Sequence, residues 1–84
     1  MNHIATPKFW QCYNNLPTAI QKIADKNFKI LKKNPTHPSL HFKQIDEFWS
    51  VRVGRKYRAL AVEENENLLW FWIGTPGEYD ELIK

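Results

Sequence analysis

"FWSVRVGRKYRALAVEENENLLWFWIG", Phe48 to Gly74, is the stretch on which the reading of this chain turns. Trp49, Val51 and Val53 alternate with Ser50 and Arg52, the period of a strand with one apolar face. Gly54-Arg55-Lys56 makes a short hairpin loop, with glycine where a positive φ is needed. "YRALAVEE" follows as a second strand, "NEN" as a second tight turn, and "LLWFWIG" as a third strand. This last strand is apolar on both faces, which calls for a central or helix-covered place in a sheet. The stretch is an antiparallel meander.

Working outward, "LHFKQI" alternates more weakly and adds a candidate first strand before the meander. Ahead of it, Asn34-Pro35 ends a helix, and Pro35 and Pro38 make the connector extended. That helix runs from Pro17, in its first turn, to about Lys33. Leu16, Ile20, Ile23, Ala24, Phe28 and Leu31 form its apolar stripe, and Lys22, Lys26, Lys29 and Lys33 its opposite side. Thr6-Pro7 is an N-cap and N1 pair for a shorter helix carrying Phe9, Trp10 and Tyr13. No strand is evident in "MNHIA", and "PGEYDELIK" closes with a turn and a helical turn or two. The predicted architecture is α+β: two N-terminal helices packed on a three- or four-stranded antiparallel sheet, with a short C-terminal helix. Its 84 residues make one domain spanning residues 1–84.

The composition, 43% hydrophobic with four Trp and three Gly, predicts a packed core and excludes disorder as the default. No apolar run nears the roughly 20 residues that cross a bilayer, and "MNHIATPKFWQ" lacks the pattern of a secretion signal. A single cysteine, Cys12, forms no internal disulfide, so an intracellular, cytoplasmic protein is expected. Residues 1–60 hold eleven Lys and Arg against three acidic residues, a net +8; residues 61–84 hold Lys84 against six, a net −5. A basic body with an acidic end suits a polyanion on one face, although a charge run alone is more often just a solvated surface.

Several chemistries fall away. His37 and His41 are four apart, but Pro38 between them prevents the helix that would align them as metal ligands. Nothing beside Cys12 activates a thiol, and its aromatic neighbours predict a buried one. Gly54, Gly74 and Gly77 form no phosphate-binding loop. No metal or cofactor is called for. Trp49, Trp70 and Trp72 are assigned to the core rather than to base stacking. Arg52 points away from Trp49, Val51 and Val53, Arg55 and Lys56 occupy the loop tip, and Arg58 is partly buried beside Leu60 and Val62. These residues alone leave two readings open, solvated strand ends and nucleic-acid contacts.

The combined pattern, "LPTAIQKIADKNFKILKKNPTHPSLHFKQI…FWSVRVGRKYRALAVEE…LLWFWIGTPGEYDELI", resembles the RelE/ParE superfamily of bacterial toxins from toxin–antitoxin pairs. The resemblance spans about Leu16 to Leu82 and rests on the order and spacing of its parts. It implies a ribosome-dependent, metal-independent endoribonuclease that cleaves messenger RNA by attack of the 2′-hydroxyl. Under it, Arg52, Arg58 and Tyr79 are the catalytic residues, and Arg55, Lys56 and Lys43 the RNA contacts. It also implies a cognate antitoxin protein that covers the basic surface, the ribosome and mRNA as targets, and no membrane partner.

One departure stands out. RelE-like nucleases usually carry an Arg or His after the last strand, where this chain reads "GTPGEYD". Either His41 or another group takes that role, or the chain is a weak or inactive nuclease. The remaining alternative is a non-catalytic protein on the same fold, a gyrase-directed ParE-like toxin or an interaction domain.

Overall fold

The computed structural model describes residues 2–82, apart from the side chains of Pro76, Tyr79 and Leu82. The elements are β1 (Asn2–Ala5), α1 (Pro7–Asn14), α2 (Thr18–Lys33), a 3-10 turn (Pro38–Leu40), β2 (Lys43–Ile45), β3 (Phe48–Val53), β4 (Tyr57–Glu64), β5 (Asn67–Gly74) and α3 (Pro76–Leu82). The strands form one sheet in the order β1-β5-β4-β3-β2.

Two expectations about the sheet are corrected. It has five strands rather than three or four, and it is mixed, because β1 pairs parallel to β5 from Asn2↔Asn67 to Ala5↔Trp70. Four residues carry too little periodicity to announce a strand; β1 exists through pairing with residues more than sixty positions away. The strand sought in "LHFKQI" shrinks to Lys43–Ile45, since Leu40 closes the 3-10 turn as a fully buried anchor.

The helix ends follow local chemistry. The Thr6 hydroxyl accepts from the Phe9 amide, with Pro7 at the first helical position. Pro17 stands one place earlier than expected, at the N-cap of α2 rather than inside its first turn. The turns between the strands need left-handed backbone: Gly54 has φ 64°, and Asn65 and Glu66 have φ 51° and 68°. Both central residues of the second turn having positive φ matches the twist of the flanking strands.

Helices α1 and α2 cover one sheet face. Ala24 and Leu31 of α2 pack there with Val51, Val53, Ala59, Ala61, Leu68, Trp70 and Ile73. The opposite face has a smaller apolar cluster, in which Leu60 and Trp72 are buried with Phe48 and Phe71 against them. A bulge separates the two tryptophans. Leu60 pairs with Trp72 and Ala61 with Trp70, so Phe71 is the extra residue and the pleat slips by one. Trp70 and Trp72, two apart in sequence, therefore belong to opposite faces. Both are core, as expected, but they stabilise different sides of the sheet. Gly74 is required by this packing, because a Cβ there would lie 2.6 Å from the Trp72 ring.

Candidate nucleic-acid interface

The β3–β4 ladder sets the cations. Arg52 and Arg58 are register partners, directly opposite each other on the sheet face away from α1 and α2. Both side chains therefore leave the sheet on the same face as neighbours. One ladder step further, Val53↔Tyr57 closes the hairpin, and the exposed Arg55 and Lys56 form its tip. Lys43 pairs with Ser50 and so shares the face of Arg52, also exposed. Five predicted cations thus gather at one end of the sheet. Beneath them, Ser50 is fully buried and its hydroxyl has no hydrogen-bond partner among the described residues.

Arg52 is held firmly. Its Nε donates to the Gly54 carbonyl at 2.9 Å, which fixes the guanidinium over the hairpin turn. From the other face, Asn27 of α2 donates to the Arg52 carbonyl at 3.1 Å and pins the strand backbone. Half-buried Arg58 precedes the fully buried Leu60, as its position in the sequence suggested. The α2 lysines Lys22, Lys26, Lys29 and Lys33 are exposed and belong to the helix layer.

His41 is the residue that sequence reasoning placed only loosely. It follows the 3-10 turn with φ 45° and ψ 44°, and its Nε2 lies 3.4 Å from Arg52 Nη1. The other histidines are engaged elsewhere. His37 Nδ1 accepts from the Ser39 amide at 3.2 Å, and His3 Nδ1 accepts from Trp70 Nε1 at 3.1 Å. Burial, with the charge of Lys32 and the N-terminus adding to it, lowers the pKa of His3 from its usual value. Nothing in the sequence near His41 signals its place, because the contact depends on how the connector returns to β3.

Tyr79 falls in α3, but its side chain lies outside the described residues, as does that of Pro76. The helix starts just after Gly74, the register partner of Arg58. Its opening is a capping box. The Thr75 amide and hydroxyl donate to Glu78 Oε1 at 3.2 and 3.0 Å, while the Glu78 amide donates to the Thr75 hydroxyl at 3.4 Å. The "TPGE" stretch is thus built to start a helix.

The acidic C-terminal third does not simply turn away from the cations. Asp46 and Glu47, and Glu63, Glu64 and Glu66, lie in or beside the turns at the opposite end of the sheet. Glu78, Asp80 and Glu81 belong to α3, which begins at the basic end. Among the described residues no cluster of His, Cys, Asp and Glu could hold a metal ion, and no helix is long and apolar enough to cross a membrane. Cys12 is half-buried and makes no disulfide.

No family model matches the sequence, and neither does any curated protein. Solved structures do. The toxin of the RelB–RelE antitoxin–toxin complex from Methanococcus jannaschii has a TM-score of 0.74 at 13% identity, over 96% of this chain and 99% of that one. YafQ from E. coli gives 0.69 at 12% identity, over 93% and 96%. The YoeB/ParE toxin from Agrobacterium tumefaciens gives 0.65 at 13%, over 89% and 98%. With the parallel β1, the helix layer on one face and the basic hairpin on the other, this chain has the fold of the RelE/ParE toxin superfamily.

Proposed function

We propose that this protein is the toxin of a toxin–antitoxin pair and that it cleaves messenger RNA on the ribosome. The observation that carries the reading is the Arg52↔Arg58 pair on the sheet face opposite the helices. Two arginines side by side on one face offer several donors to a single anion, and a phosphodiester is such an anion. Attack of the RNA 2′-hydroxyl places additional charge on the phosphate oxygens, and donors already in position stabilise it without reorganising. Arg52 and Arg58 take that role, Arg55, Lys56 and Lys43 hold the flanking backbone, and Tyr79 gives a proton to the departing 5′ oxygen. None of these steps requires a metal ion or cofactor. The partner is a cognate antitoxin, whose acidic or amphipathic segment covers the basic end of the sheet.

The test is a cell-free translation reaction with primer-extension mapping of the message. Wild-type protein should cut ribosome-bound mRNA, and Arg52→Ala and Arg58→Ala should each slow cutting by about 10²–10³-fold. Intact message with the wild type would sink the nuclease reading.

The "TPGE" capping box favours a second reading. A stretch devoted to starting α3 leaves no Arg or His after β5, which suits a non-catalytic RelE/ParE-fold protein. Inhibited gyrase supercoiling with intact RNA would select the gyrase-directed form, and neither effect would leave an interaction domain.

A further inference from the structure

We propose that the sheet face opposite α1 and α2 is an interface between two copies of this chain, centred on an apolar row that crosses all five strands. The ladders set the row. Ile4 of β1 pairs with Leu69 of β5, Leu69 with Val62 of β4, Val62 with Phe48 of β3, and Phe48 with Ile45 of β2. Residues directly opposite in a ladder share a face. The chain neighbours Trp70, Ala61 and Trp49 belong to the helix-side core, so the row lies on the open face. At the usual strand spacing of about 4.8 Å it is about 19 Å long.

The row is poorly covered. Ile4 is 44% exposed and the other four are only partly buried, although α3 packs against β4. Two residues further along the strands, Ser50 and Leu60 of the same face are fully buried. A continuous row of exposed apolar side chains marks an association surface, as scattered ones do not.

The charges around the row identify the occupant. Beyond one side lie the turns that carry exposed Asp46, Glu47, Glu64 and Glu66, and neither turn holds a Lys or Arg. On the other side lie Lys43, Arg52 and Arg58. Carboxylates so close to the row repel phosphates, which disfavours RNA there. A uniformly acidic or basic protein would suit one side and be repelled by the other. A second copy suits both. A two-fold axis lying along the row, across the strands, sets row on row and reverses the strand direction between the copies. Lys43 stands two residues before Ile45 on one side, and Glu47 one residue before Phe48 on the other. The axis therefore brings the acidic β2–β3 turn of each copy over Lys43 of its partner. The contact is small, below about 1,200 Å² in total, so the dimer is reversible rather than permanent. The inference does not depend on the nuclease reading.

Sedimentation of the full chain should show a monomer–dimer equilibrium between about 1 μM and 1 mM, the span of such affinities. Val62→Glu, at the centre of the row, should remove the dimer, with a thermal melt to show that the variant folds. Trp10→Ser, at an exposed apolar residue of α1, should leave the dimer unchanged. Glu47→Lys and Lys43→Glu alter only exposed side chains, so they carry the test if Val62→Glu does not fold. Each acts twice in a symmetric dimer and should weaken it by about 5-fold or more. The two changes combined should restore it. A monomer at every concentration overturns the inference and leaves the row to the antitoxin or another protein. A dimer that survives Val62→Glu, or that Trp10→Ser dissociates, overturns it by placing the interface elsewhere. A charge swap as weak as its single variants overturns the two-fold arrangement, and the inference with it.

Discussion

The two faces of the sheet are made by the same strands and carry different side chains. On the helix side, Val51, Val53, Ala59, Ala61 and Trp70 are buried against α1 and α2 and hold the domain together. On the other side, Arg52 and Arg58 are register partners, on the face that also carries the smaller cluster of Leu60 and Trp72. A pleated strand sends neighbouring residues to opposite faces, so a single segment such as "SVRV" contributes to both. The helix-side core and the hairpin arginines are thereby separated by one residue of register. Substitutions that respect the pleat should reveal that separation.

The largest expected effect is at Trp70, which is 3% exposed on the helix face. Trp70→Ala should lower the unfolding free energy by about 3–5 kcal/mol, measured by urea titration. Arg52→Ala, on the other face, should cost no more than about 1 kcal/mol in the same titration. Equal losses would break the division of labour between the faces.

A smaller effect should be seen at His3, which joins β1 to the helix-side core through Trp70. Its pKa is lowered in the folded state, so the unfolded chain binds that proton more readily. The stability from neutral His3 is complete above the ordinary histidine value. It is lost as pH falls through the depressed folded value. The ring is partly exposed, which screens the effect and keeps it modest. Thermal melts across the acid range should show wild type losing stability that His3→Gln, with an acceptor that does not titrate there, retains. Parallel pH curves would remove His3 from the account of β1.

The smallest effects belong to the hairpin tip. Arg55→Ala and Lys56→Ala should shift the unfolding free energy by less than about 0.5 kcal/mol. If both contact phosphates, each should also flatten the salt dependence of RNA binding by about 0.7 in the log–log slope. An unchanged slope would remove that cation from the RNA surface and leave the paired arginines to act alone.

Much of this could be read before any coordinates. Thr6-Pro7 is a local signal, and the capped helix follows it. The alternation through Trp49 to Val53 put Arg52 on the correct face, and Gly54 marked the turn. The readings that failed depend on distant partners. Nothing within "NHIA" encodes a parallel pairing with β5. Nothing in "LLWFWIG" announces that Phe71 bulges out and sends its two tryptophans to opposite faces. Local capping chemistry does account for the Thr75–Glu78 stretch, as the opening of α3.

The sequence by itself determined the order of the helices, the meander and the face on which the hairpin arginines stand. Helical and strand periods, caps and turn residues act over a few neighbours, so they are legible in one dimension. Only the tertiary structure decided that β1 completes the sheet, that Arg52 and Arg58 are direct partners, and that His41 reaches Arg52. Those relations join residues through the register of paired strands and the path of a connector, and no local spacing carries that information.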